Sequence, residues 1–77
     1  MEDVRGALAA NLAELRKEEN LTQAEFAARF NYSDKAVSKW ERGDSLPDVV
    51  MLKTIADLYG LRVDDLLTED GVASALA

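Results

Sequence analysis

The chain has 77 residues, no cysteine, no histidine and a formal net charge of −6. That length fits one domain, and the two missing residue types exclude disulfides, thiolate metal sites and imidazole chemistry. No apolar run approaches the roughly 18 residues a membrane span needs, and the acidic start Met1-Glu2-Asp3-Val4-Arg5 lacks the apolar stretch of a signal peptide, so a cytoplasmic protein without membrane contact is expected.

Val4, Leu8, Leu12 and Leu15, with Ala7 beside them, repeat at helical spacing and predict a first helix over about 3–19. Asn20 suits a left-handed cap at its end. Thr22-Gln23-Ala24-Glu25 has the form of a capping box, with Thr22 and Glu25 each serving the other's amide. A second helix then runs to about Phe30, burying Phe26, Ala27 and Phe30. Asn31 supplies the left-handed residue of a tight turn. Ser33 is the next N-cap, and Asp34 sits where a helix dipole favours an acid. The third helix, about 34–42, ends at Gly43. Two short helices joined by about three residues are the helix-turn-helix arrangement.

Asp48 caps a fourth helix just after Pro47, with Leu52, Ile55, Ala56 and Tyr59 as its buried stripe and Gly60 as its stop. Leu61 and Val63 form a connector, and Asp64-Asp65-Leu66-Leu67 a short fifth helix. The expected fold is therefore all-α, a compact bundle of five short helices over residues 1–68, with 69–77 a flexible tail or linker stub.

The charge is unevenly spread. Residues 29–43 hold Arg29, Lys35, Lys39 and Arg42 against Asp34 and Glu41, while the segments on either side are acidic. On the third helix, Asp34, Lys35, Ser38, Lys39 and Arg42 share one side, and Ala36, Val37, Trp40 and Glu41 share the other. Solvation alone would account for a polar face on a surface helix. A short capped helix and a tight turn before it, however, are how a recognition helix is presented to the major groove. Lysine and arginine can bond guanine O6 and N7, an aspartate can accept from cytosine N4, and a serine can do either.

The segments Leu21 to Ala27, Val37-Ser38-Lys39-Trp40-Glu41-Arg42-Gly43, Pro47-Asp48 and Leu66-Leu67 resemble the Cro/C1-type helix-turn-helix family, also called lambda-repressor-like or xenobiotic-response-element regulators. The resemblance covers about residues 8–68. It implies sequence-specific binding of double-stranded DNA as a transcriptional regulator, expected to be a repressor. Ser33, Asp34, Lys35, Ser38 and Lys39 match base-facing positions, and Thr22, Gln23 and Arg42 match phosphate contacts. The free amides of a helix N-terminus suit Gln23 to that task on their own account. Arg16 and Glu41 match a structural ion pair, consistent with Glu41 lying on the inward side of its helix. Trp40 is expected to pack at the core edge rather than on a base.

The sequence departs from the family at Arg62, where a serine cap is frequent, so the last helix is expected to be weakly held. Val49-Val50-Met51 is unusually apolar for a first helical turn and suggests an interface. A homodimer is expected, formed before or on DNA through residues such as Val50, Met51 and Leu67. The acidic remainder should weaken non-specific binding, which depends on phosphate neutralisation. The competing reading is a protein-interaction module on the same fold, such as an antitoxin or anti-repressor subunit. No enzyme activity, cofactor, metal or small-molecule effector is expected.

Overall fold

Six helices follow one another through the computed structural model, which describes residues 3–77: α1 (Val4–Glu18), α2 (Gln23–Arg29), α3 (Asp34–Arg42), α4 (Val49–Leu58), α5 (Val63–Leu67) and α6 (Gly71–Leu76). Among the described residues no strand occurs and no helix is long and apolar enough to cross a membrane.

The boundaries follow from local chemistry. Asp3, Thr22, Ser33 and Asp48 each accept an amide of the first helical turn behind them, which satisfies donors the helix itself leaves free. Asn20 and Asn31 take the left-handed conformation, with φ of 56° and 61°. Gly43, at φ 77°, lets the chain leave α3 sharply.

Leu8, Leu12 and Leu15 of α1 meet Phe26, Phe30, Val37, Trp40, Ile55 and Leu66 in one core. Val4, expected on the same stripe, is exposed at the first turn of α1, and the buried stripe begins at Leu8. Phe26 and Phe30 meet edge to face at 5.1 Å, and Tyr59 stacks on Phe26 from the side of α4. These ring contacts pack α2 against the end of α4 within that core.

The five-helix expectation is corrected to six. The stretch 69–77, read as a tail, contains α6, and Val72 is fully buried. Apart from Val72 and Leu76 the segment is small or polar and shows no long apolar period, so its order comes from docking. Asn11 of α1 is the missed anchor: its Nδ2 donates to the carbonyls of Leu66 and Thr68, both at 2.8 Å, and of Asp65 at 3.2 Å. Gly71 lies so close to the Asp65 carbonyl that a β-carbon would overlap it.

This docking also answers the Arg62 departure. An arginine has no acceptor with which to cap a helix, yet α5 forms: Asp65 accepts the Arg62 amide at 2.9 Å, and Leu66 is completely buried.

Candidate nucleic-acid interface

The presentation of α3 begins at the start of α2. Thr22 Oγ1 accepts the Glu25 amide at 3.1 Å, and Glu25 Oε1 accepts the Thr22 amide at 2.8 Å. The Thr22 amide, with its hydroxyl beside it, holds the Glu25 carboxyl below the ordinary carboxylate range. At the turn, the Tyr32 amide returns to the Ala27 carbonyl at 3.0 Å. Ser33 Oγ then accepts the Ala36 amide at 3.2 Å and starts α3. Val37 and Trp40 anchor α3 to the core, and the edge-to-face pair Tyr32–Trp40, at 5.2 Å, packs the turn against the helix. Trp40 is thus a core residue, as its inward position predicts.

With that side fixed, the opposite side of α3 must face outward. Gln23, Asp34, Lys35, Ser38, Lys39 and Arg42 line one shallow open depression. Lys35 and Lys39 make no ion pair among the described residues, so both ammonium groups are free for an anionic partner. Thr22 and Ser33, also assigned to DNA from the sequence, do not line the depression. Their hydroxyl oxygens are spent on capping.

Beneath the depression lies an ion pair. Arg16 donates from Nε to Glu41 Oε2 at 2.8 Å and from Nη2 to Glu41 Oε1 at 3.0 Å, a bidentate geometry. The remaining arm, Nη1, donates to the Leu21 carbonyl at 2.9 Å, tying the loop before α2 to the same group. Only 8% of the Glu41 side chain is exposed, so this carboxylate holds structure together. The bond to Glu41 raises the Arg16 pKa above its already high value.

Four contacts were absent from the sequence reading. Gln23 Nε2 donates to Glu41 Oε1 at 3.2 Å, which joins the buried pair to the lip of the depression. Arg42 donates from Nε to Asp44 Oδ2 at 2.9 Å and from Nη1 to Ser38 Oγ at 2.6 Å. Arg5 donates from Nη1 to the Gly43 carbonyl at 2.9 Å, closing the end of α3 from α1. The one-turn spacing of Ser38 and Arg42 signalled a possible contact. Nothing in the sequence pointed Asp44 or Arg5 at α3.

The helix-turn-helix family model matches residues 12–66, from the middle of α1 to α5. The chain belongs to the Cro/C1-type helix-turn-helix family of DNA-binding transcriptional regulators. It is 38% identical over 66 residues to the uncharacterised HTH-type transcriptional regulator y4dJ of Sinorhizobium fredii, covering 86% of each chain. It is 39% identical over 57 residues to the HTH-type transcriptional activator BcrR of Enterococcus faecalis, and that match spans 74% of this chain but only 28% of BcrR. Among solved structures, it resembles the DNA-binding domain of BldD from S. venezulae, with a TM-score of 0.70 and 28% identity over 87% of this chain and all of that one. The helix-turn-helix match ends at 66, so α6 lies outside the part that defines the family.

Proposed function

We propose that the chain binds double-stranded DNA sequence-specifically, with α3 in the major groove, and that it does so as a two-fold dimer on paired half-sites. The observation that carries this is the outward face of α3. It collects Lys35, Lys39 and Arg42 with the polar groups of Asp34 and Ser38 in one depression, on a chain that is otherwise acidic. Lys35, Ser38 and Lys39 face base edges. Gln23 and Arg42 flank them and face phosphates, which fix register without carrying sequence information. The second proton of the Gln23 amide group and its unpaired backbone N–H remain for that contact after the bond to Glu41 is made.

One module reads too few base pairs to be selective, and paired modules place their half-sites about 10 base pairs apart. Val49 and Val50, 80% and 74% exposed on α4, are the most exposed large apolar residues among those described and would join a partner copy. Leu67, half-buried at the end of α5, is proposed to join them. Met51 is buried in the core and drops out of the proposed interface. Occupancy of an operator then represses by excluding polymerase or a competing regulator. Such a protein acts in the cytoplasm, where bacterial DNA lies, and needs no cofactor or catalytic group.

Selection from random duplexes, read by sequencing, tests this reading. Two related half-sites about one helical turn apart are the expected result, with sedimentation showing two chains per selected duplex. Failure to enrich any sequence, at low salt as well as moderate salt, overturns it. A reporter with the selected site overlapping its promoter decides the regulatory sign: repression is expected, and activation would align the chain with the behaviour named for BcrR.

A further inference from the structure

Ser38 lies at the centre of the outward face of α3, and a free serine hydroxyl can either donate to a base or accept from one. Its surroundings remove that freedom. Arg42, one turn further along, donates from Nη1 to Ser38 Oγ at 2.6 Å and from Nε to Asp44 Oδ2 at 2.9 Å. A guanidinium carries no acceptor, so the bond to Ser38 runs in one direction only. Asp44 holds the guanidinium from its other side and keeps it over the hydroxyl.

The serine proton therefore has to go elsewhere. Thr54 and Thr68 spend theirs on the carbonyls of Val50 and Asp64, one turn back, each at 2.8 Å. Ser38 makes no such donation among the described residues. Its proton is left facing the depression it lines with Lys35 and Lys39. A charged donor on the oxygen also polarises the hydroxyl and strengthens it as a donor. An incoming amino group would have to approach an oxygen already serving a cation, with two ammonium groups nearby.

Building on the major-groove reading above, we propose that Arg42 and Asp44 fix Ser38 as a hydrogen-bond donor, so that Ser38 reads an acceptor on a base edge. The acceptors of that kind are N7 or O6 of guanine, N7 of adenine and O4 of thymine. The amino groups of cytosine and adenine are rejected. Arg42 is then a positioning residue for base readout in addition to facing a phosphate, and Asp44 positions Arg42.

The test uses the full chain and its best selected duplex, into which base analogues are built that delete one major-groove group at a time. Deleting the acceptor opposite Ser38 should weaken wild-type binding roughly two- to tenfold, the range of a single net hydrogen bond. The same deletion should cost the Ser38→Ala variant nothing further. Arg42→Ala should flatten preference at that same base pair, and Asp44→Ala should do so in part. Two results overturn the proposal while leaving DNA recognition intact. One is that the group coupled to Ser38 is an amino donor. The other is that Arg42→Ala leaves the preference at that base pair unchanged. A wild-type chain that selects no sequence at all overturns both the proposal and the reading beneath it, so the failures are distinguishable.

Discussion

The side-chain oxygen of Asn11 accepts the backbone N–H of Val72 at 3.3 Å, so a residue in the middle of α1 grips the start of the last helix. Its nitrogen at the same time serves three carbonyls between Asp65 and Thr68. Asn11 is 3% exposed and Val72 is fully buried. One amide group therefore satisfies the end of α5 and the beginning of α6 together, with its bonds to the Leu66 carbonyl and the Val72 amide fully buried.

Asn11→Ala should accordingly be among the most damaging single changes in α1. It strands buried backbone groups, each costing about 1–3 kcal/mol if left unpaired. The expected result is a clear drop in thermal midpoint, with faster amide exchange at Val72 and through 65–76. A variant that melts like the wild type, with Val72 still protected, would show that α6 is held by something else.

Arg16 and Glu41 should behave as one unit. Either residue changed to alanine leaves a partly buried charge without its partner, for a loss of roughly 1–3 kcal/mol. The double mutant should lose less than the sum, because the second change removes a group already stranded by the first. Denaturant unfolding of the four proteins in the cycle measures this. Additive losses would mean that the pair contributes no coupling.

Glu25 gives α2 an acid-sensitive start. Its folded pKa lies below the ordinary value of 4.5 because the Thr22 amide and hydroxyl favour the ionised form. A lowered folded pKa means stability that is present above pH 4.5 and is lost as pH falls through the folded value. The wild type should exceed Glu25→Gln in melting temperature at neutral pH, and the gap should close on acidification below that point. Thr22→Ala should cost about 1 kcal/mol at neutral pH through loss of the cap. A gap between wild type and Glu25→Gln that widens on acidification would contradict this account.

Lys35 and Gln23 should separate by the kind of contact they make. Lys35→Ala should weaken binding and relax preference at one or two base pairs, by about 1–3 kcal/mol of discrimination for a good base contact. Gln23→Ala should weaken all duplexes alike and leave the salt slope unchanged, since glutamine is neutral. Because Gln23 also bonds Glu41, the melt of this variant should fall slightly. Competition against single-base variants of the selected site, at two salt concentrations, distinguishes the two. A Lys35→Ala profile identical to wild type would move Lys35 from the bases to the backbone.

Arg42→Ala should lower the salt slope by close to one charge. Asp44→Ala should instead steepen it, by freeing a guanidinium that Asp44 now partly neutralises. Equal slopes for the wild type and Asp44→Ala would show that the carboxylate releases Arg42 on binding.

The sequence by itself determined the helices around the turn. Thr22 with Glu25, Asn31, Ser33 and Gly43 act on their own neighbours within a few residues, so their chemistry is legible in order along the chain. The outward set of α3 followed for the same reason: with Val37 and Trp40 inward, helical geometry leaves Asp34, Lys35, Ser38 and Lys39 no other side. The tertiary structure decided what depends on groups distant in sequence. Asn11 is a polar residue on the buried side of α1, and the partners that account for it, the carbonyls of 65–68 and the Val72 amide, are brought to it only by the fold. Met51 lies one turn before Ile55 and is buried with it, while its neighbour Val50 lies on the open side of α4, so the apolar run at 49–51 is divided between core and surface. The tie from Arg5 of α1 to the Gly43 carbonyl likewise required the start of α1 and the end of α3, 38 positions apart, to be packed together. A short-range pattern fixes which way a side chain points, but the partner it meets there is set by how the helices pack.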